Sequence, residues 1–386
     1  MPEAIDQAPG MPEALKVPEG SAPGGPERKV QKVLLPGQTP EGSHILSLLL
    51  KRTYAFSHDS PCKRAKEDKK IFSADVYHGD PMNSTVRFET DFLPYKLQTD
   101  VVFDGKAHSL GAVPVTNLKA ALCVGTARKE ILVIGDRACR WMDGGRVAAT
   151  QPQPFVTMDL RYENAYGGVD IYSDLTMPCA YPRNPLGKGF VVKPTPKTLM
   201  DLPLPNLEDP LNRITAEKLC ILEMKHWEKQ PMPAGLSWYP KFWPPRVSLA
   251  GVMPADVAFE KEMRKTYATL LKGEQKELYE KHTIGPMDFR FFNGAPAGQS
   301  FPYMSGTETI RLENLTPEGT TEFQLPGEKP VVRIDIGMGM QEPPVFLHTV
   351  QIRGEDSQVD LVWRAALPYP GLDWLPEMQN LVIEIQ

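Results

Sequence analysis

The sequence has no hydrophobic run long enough to cross a membrane. The longest near its start, Ile45 to Leu50, has six residues including a serine, whereas a spanning helix needs about 20. The first thirty residues also lack the apolar stretch that is typical of a signal peptide. We therefore expect a cytoplasmic protein.

Positive charge is not in excess either. The 386 residues include 43 Lys and Arg against 48 Asp and Glu, which gives a net charge of -5. Proteins that bind nucleic acids or anionic membranes usually present a positive field to them. Neither a nucleic acid nor a membrane is therefore an expected partner.

The common signatures of cofactor and metal sites are missing. Two Gly-x-Gly triplets, Gly187–Gly189 and Gly337–Gly339, lack the third glycine of a dinucleotide fingerprint, and neither a P-loop nor a Gly-x-Ser-x-Gly elbow occurs. The seven histidines are scattered, and the five cysteines form no Cys-x-x-Cys pair. We expect reduced thiols, no metal and no cofactor.

Proline, by contrast, is abundant, with 39 residues, about twice the usual share. Because proline breaks helix interiors, this composition favours strands and stiffened loops. Alternation of apolar and polar residues at Val86–Phe92, Val332–Ile336 and Val359–Trp363 is typical of half-buried strands, and Ile45–Phe56 is a further strand candidate. The prediction is a mainly β, or β-rich α+β, protein with antiparallel sheets or a sandwich and long proline-rich loops.

The chain divides into an arm and one large domain. Residues 1–30 are rich in proline and glycine and are expected to be disordered, because they bury too little apolar area. Residues 31–386 are expected to form a single β-rich domain, in which 285–386 could be a sub-domain. Residues 256–282 lack proline and carry an apolar stripe among Glu and Lys. This pattern predicts a helix that either packs on the sheet or binds a partner.

The densest block of special residues is Phe155–Phe190. Four carboxylates, Asp159, Glu163, Asp170 and Asp174, could include the acid and base of a carbohydrate-active hydrolase. The alternative is that they bond to nearby backbone and hold the loop. We favour the structural interpretation, in which one buried network includes Arg161, Glu163, Asn164, Tyr166 and Asn184.

Seven segments of the chain resemble a known family, the domain-of-unknown-function 2169 family found beside bacterial type VI secretion genes. They cover about residues 45–325 in the family's order, with Asn164 standing where the family usually has arginine. The segments are FETDFLPYKLQTDV at 88–101, VIGDR at 133–137, RYENAYGG at 161–168, NPLGKGF at 184–190, LPNLEDP at 204–210, PAGL with WPPR at 233–246, and DFRFFN at 288–293.

The resemblance implies a non-catalytic adaptor or chaperone in the bacterial cytoplasm. Such proteins are similar to effector-loading factors, which hold a secreted toxin, often linked to a PAAR domain, and mount it on the VgrG spike. No catalytic residues can be carried over. Two other classes stay open, namely the hydrolase described above and a structural component of a secretion baseplate.

An adaptor needs an exposed face with aromatic and arginine anchors. The expected partner-binding residues are Trp227, Trp238, Tyr239, Phe242, Trp243 and Arg246. The alternative is that these aromatic residues belong to the core. The polar residues expected to position the loops are Asp91, Lys96, Asp100, Arg161, Glu163, Asn164, Tyr166, Gly167, Gly168, Asn184 and Gly187.

Overall fold

The computed structural model describes residues 30–142, 146–173, 178–215, 219, 231–244, 246–250, 287–370 and 380–385. In these residues strands predominate. A short α-helix, α1, spans Pro196–Leu199, and 3-10 turns lie at Leu110–Ala112, Tyr162–Asn164, Val247–Ala250 and Phe289–Phe292. In chain order the strands are β1 (Gln31–Gln38), β2 (His44–Ala55), β3 (Ser60–Pro61), β4 (Lys63–Arg64), β5 (Val76–Tyr77), β6 (Val86–Phe88), β7 (Thr99–Asp104), β8 (Lys106–His108), β9 (Asn117–Val124), β10 (Ala127–Ile134), β11 (Cys139–Trp141), β12 (Val147–Ala149), β13 (Thr157–Asp159), β14 (Tyr166–Gly167), β15 (Val169–Asp170), β16 (Cys179–Ala180), β17 (Lys188–Gly189), β18 (Leu207–Glu208), β19 (Ser300–Phe301), β20 (Thr309–Glu313), β21 (Thr320–Gln324), β22 (Pro330–Asp335), β23 (Val345–Arg353), β24 (Gln358–Pro368) and β25 (Asn380–Ile385).

The largest sheet has seven strands in the order β1-β2-β24-β23-β7-β19, with β4 beside one end of β2. Neighbouring strands of this sheet run antiparallel, except that β23 and β7 are parallel. Because β23 and β24 lie between β2 and β7, the C-terminal hundred residues share this sheet with N-terminal strands.

A second sheet has the order β18-β10-β9-β20-β21-β3. One buried cluster contains apolar side chains from both sheets, among them Leu50 and Trp363 of the first and Leu122, Ile131 and Ile310 of the second. Leu50 and Trp363 are also cross-strand partners, so the alternation of the strands directs them to one face. The two sheets therefore share the main core, as in a sandwich.

The prediction of a mainly β, largely antiparallel fold is confirmed. The strand predicted at Val86–Phe92 is too long, since β6 ends at Phe88. Beyond it the backbone bonds to loops instead of a strand, with Thr90 N donating to Asp75 and Asp91 N to the Phe72 carbonyl. The predicted helix at 256–282 and the arm, apart from residue 30, lie outside the described residues.

The face of the large sheet that points away from the main core carries buried charges. Lys51 Nζ donates to Asp91 Oδ2 at 2.7 Å, and Lys96 Nζ donates to Asp100 Oδ2 at 2.6 Å. The last pair is almost fully enclosed, with side-chain exposures of 1% and 0%. Burying an ion is costly unless it is paired and hydrogen-bonded, so these pairs fix which loops can cover the sheet.

Asp100 has the most contacts of these groups. Besides Lys96, its two oxygens accept bonds from Asn293 Nδ2, Gly294 N and Ser300 Oγ at 2.8–2.9 Å. Lys96 also donates to Thr349 Oγ1 of β23 at 3.2 Å. One carboxylate therefore joins β7 and the segment 293–300, and its lysine partner adds β23.

Lys96→Met should lower the free energy of unfolding by roughly 3–5 kcal/mol, since it leaves the Asp100 charge buried without its cation. Chemical denaturation followed by tryptophan fluorescence would measure the loss. Arg290→Met is the matched control, because Arg290 forms its ion pair with Asp288 at the surface, where such pairs are worth about 0–1 kcal/mol. Equal losses in the two variants would contradict this account of the buried pair.

Candidate binding site

The aromatic side chains expected to form a binding face are mostly in the core. Trp238, Tyr239 and Trp243 are buried, and the last two pack edge-to-face on each other and on Tyr162. Trp238 lies on the charged face of the large sheet, where its Nε1 donates to Gln351 and Lys96 Nζ is 4.8 Å from its ring. These three rings stabilise the loop against the sheets.

Arg246 is buried with them. Its Nη2 donates to Glu89 Oε1 at 2.5 Å, its Nη1 to the Tyr239 carbonyl at 2.7 Å and its Nε to the Phe291 carbonyl at 2.8 Å. A guanidinium that makes three such bonds holds loop segments together, because each bond fixes a separate segment.

The structure thus places Trp238, Tyr239, Trp243 and Arg246 in the core, which is the alternative left open for this stretch. The pattern could not distinguish core from surface, since buried and interfacial aromatics have the same composition. Phe242 is the one described member of the set that faces outward, at 75% exposure, and Trp227 lies outside the described residues.

The block 161–190 is built around Asn184. This buried side chain donates from Nδ2 to the carbonyls of Tyr162 and Tyr166 at 2.8 and 3.1 Å and accepts from Leu186 N. Around it Gly167 and Gly168 have φ of 150° and 106°, values that favour glycine. A side chain at Gly168 would place its Cβ 2.5 Å from the Gly187 carbonyl oxygen. The glycines let two chain segments pass at backbone contact.

Glu163 extends this network through Thr85. Its carboxylate accepts from Thr85 N at 2.9 Å and from the Thr85 hydroxyl, and that hydroxyl accepts from Tyr162 N at 3.0 Å. Glu163 is thus connected to Asn184 through the backbone of Tyr162. Asn164 forms a separate contact by donating to the Asp159 carbonyl, and Arg161 contributes its backbone carbonyl, which accepts from Asn164 N.

Asn206 and Glu208 are structural side chains to which the sequence analysis assigned no role. Asn206 Nδ2 donates to the Ile134 carbonyl and to Asp136, while its Oδ1 accepts from Lys188 Nζ at 2.7 Å. The fully buried Glu208 carboxylate accepts from Arg137 and from Arg213. Both residues lie in LPNLEDP, one of the seven segments, but the residue types of this segment do not by themselves predict these contacts.

Two of the four carboxylates considered for hydrolysis have structural partners. Glu163 is bonded to Thr85, and Asp170 accepts bonds from Tyr172 N, Ser173 N, the Ser173 hydroxyl and Val192 N. Asp174 lies outside the described residues. The structural interpretation therefore accounts for Glu163 and Asp170.

Asp170 also organises an exposed feature. Val169, Ile171 and Tyr172 flank it and are exposed by 48%, 47% and 51%, whereas Asp170 itself is buried. Val169 is held in β15, which pairs with β16. We refer to these three exposed side chains as the apolar tip. It is a short stretch of apolar surface on a turn that four hydrogen bonds hold in place.

The described residues contain no group of His, Cys, Asp and Glu that could hold a metal ion. Where the structure describes the chain, no helix is both long and apolar enough for a membrane span. Cys62 and Cys123 are buried free thiols.

The architecture is that of a β-rich protein whose long loops are held to two sheets by buried ion pairs and amide contacts. The chain belongs to the family described as "Uncharacterized protein conserved in bacteria (DUF2169)", which it matches over residues 41–364. No curated protein and no solved structure matches it. The family resemblance of the seven segments is confirmed.

Gly168→Ala should destabilise the fold far more than Gly42→Ala. Both glycines have positive φ, but a Cβ at Gly42 would meet no atom within 4 Å, whereas one at Gly168 would collide with the Gly187 backbone. Gly42→Ala isolates the torsional cost, about 1 kcal/mol, so the difference in melting temperature reports the collision. Similar melting temperatures for the two variants would show that the junction can separate without cost.

The turn at Asp170 should lose its stabilisation in acid. Burial raises the pKa of this carboxyl, but the bonds from Ser173, Val192 and Tyr172 outweigh burial and place the pKa below its ordinary value. The resulting stabilisation is present above the unfolded pKa of about 3.9 and is lost as pH falls through the folded pKa.

Asp170→Asn tests this linkage. The wild type should be more stable than the variant at pH 7, and the difference in melting temperature should shrink steadily below about pH 4 as the wild-type carboxyl takes up its proton. A difference that stays constant from pH 7 to pH 3 would mean that the carboxylate charge does not stabilise the turn.

Proposed function

We propose that this protein is a non-catalytic adaptor, or chaperone, that binds a type VI secretion effector in the bacterial cytoplasm and helps to load it on the VgrG spike. The effector could carry a PAAR domain. The observation that carries the proposal is the apolar tip, because surface apolar side chains on a fixed turn suit the binding of another protein.

Two properties of the tip support a binding role. Its tyrosine and isoleucine are large side chains that lose water on binding, and tyrosine is frequent among the residues that dominate interface energies. The turn beneath them is ordered by Asp170 before any partner arrives, which reduces the entropy lost on association. A partner that covers these three side chains removes their apolar surface from water, and this transfer favours binding.

The resemblance of the seven segments is the reason for proposing a secreted effector as the partner. Effector-loading factors bind protein and do not turn over substrate, and the buried partners of Glu163 and Asp170 agree with such a role. The long loops are held by buried ion pairs, so the surface they present is preorganised.

Tyr172→Ala should weaken binding to the effector encoded by the neighbouring gene at least about thirtyfold, since a hot-spot residue is worth about 2 kcal/mol or more. Affinity would be measured by titration calorimetry with purified proteins. Leu211→Ala is the matched control, because Leu211 is a 95% exposed apolar residue outside the tip. Both variants must keep the wild-type melting temperature.

Unchanged binding in Tyr172→Ala would place the interface elsewhere on the surface. Deletion of the gene separates that result from failure of the adaptor role itself. Without the protein, the steady-state level or delivery of its effector should fall while other effectors are still secreted. Normal level and delivery of the effector would overturn the proposal.

A further inference from the structure

The backbone brings a lysine to the edge of the apolar tip. The Ser173 hydroxyl, which donates to Asp170, accepts a hydrogen bond from Lys193 N at 3.2 Å. The preceding residue, Val192, donates from its N to Asp170 Oδ2 at 2.7 Å. Because two consecutive residues are bonded to the turn that holds the tip, the exposed Lys193 lies beside it.

A second exposed lysine follows four residues later. The Lys193 carbonyl accepts a bond from the Thr198 hydroxyl at 2.7 Å, and this bond holds α1 against the same segment. Thr198 also forms a reciprocal capping box with Thr195, which fixes the start of α1. Lys197 lies in this helix and is exposed. Both lysines are thus fixed on the segment that adjoins the tip.

The part of the chain that carries the tip is positively charged, although the whole protein has a net charge of -5. Residues 166–200 contain four basic residues and two carboxylates, a net charge of +2. They are Arg183, Lys188, Lys193 and Lys197 with Asp170 and Asp174. The count includes Asp174, which lies outside the described residues. The next carboxylate along the chain, Asp201, is balanced by Arg140 at 3.8 Å.

Two of these four bases are committed inside the protein. Lys188 Nζ donates to Asn206 at 2.7 Å, and Arg183 is hydrogen-bonded to the Tyr181 side chain. Lys193 and Lys197, by contrast, form no ion pair within the part of the chain that the structure describes. Exposed charges at the rim of an apolar contact attract a partner of opposite charge and exclude one of like charge.

We propose that the segment of the effector that covers the apolar tip is acidic, with apolar side chains on Ile171 and Tyr172 and Asp or Glu side chains beside Lys193 and Lys197. This inference rests on the function proposed above and adds the chemistry of the partner. The lysines stay largely hydrated in the complex, so they speed association and have little effect on dissociation, which the apolar contacts of the tip control. An anionic membrane is the less favoured occupant, because its recognition takes a cluster of about four to eight basic residues.

Association kinetics of the full chain with the effector encoded by the neighbouring gene test the proposal. The wild-type association rate constant should fall about tenfold between about 20 and 300 mM sodium chloride, while the dissociation rate constant changes little. At low salt, Lys193→Glu/Lys197→Glu should associate at least about tenfold more slowly than the wild type. Lys63→Glu/Lys66→Glu is the matched control, because it makes the same change in net charge at two exposed lysines in and after β4. It should slow association much less.

The salt dependence of the wild type needs no variant, so it tests the acidic partner even where a variant unfolds. An association rate that is independent of salt, or that rises with salt, would overturn the acidic partner, while binding itself would still support the adaptor. Equal slowing by the two double variants would also overturn it, because net charge and not this pair of lysines would then attract the effector.

Sedimentation with phosphatidylglycerol vesicles covers the other occupant. Wild-type binding to the vesicles that is lost in Lys193→Glu/Lys197→Glu would assign a lipid surface and overturn the proposal. If the effector does not bind the wild-type protein at any salt concentration, the proposed function fails and this inference fails with it.

Discussion

Charge buried between a sheet and its covering loops must be paired, and this constraint organises the protein. Asp100 shows how, since it lies fully enclosed beside Lys96 and accepts further bonds from Asn293, Gly294 and Ser300. A loop that moved away would leave an ion in a poorly solvating interior, which costs several kcal/mol. Loops without regular structure can therefore hold definite positions over the sheet.

The same constraint explains why the seven family segments look as they do. Arg246 of WPPR bonds to Glu89 of the first segment and to the Phe291 carbonyl of the last. Glu208 of LPNLEDP binds Arg137 of VIGDR, and Asn184 of NPLGKGF binds the carbonyls of RYENAYGG. These segments are distant in sequence and joined by buried polar contacts. Their residue types are those that a loop needs in order to bond to another loop.

The contrast between buried and exposed aromatic side chains bears on function. The aromatic rings that resemble interface anchors are packed in the core, and the surface that we propose a partner contacts is the small apolar tip over Asp170. A rigid layer of this kind can present a binding surface without ordering it on contact.

The sequence by itself determined the class of fold and the family. Alternation at Val332–Ile336 and Val359–Trp363 follows from side chains pointing to opposite faces of a strand, a local property, and both became strands. It also indicated that Asn184 and its glycines form a junction. Only the tertiary structure decided that Trp238 and Trp243 are core, that β6 ends at Phe88, and that Arg364 is buried and donates to the Asp91 carbonyl. Burial and charge pairing depend on which distant segments meet, and residues 91 and 364 carry no local sign that they will.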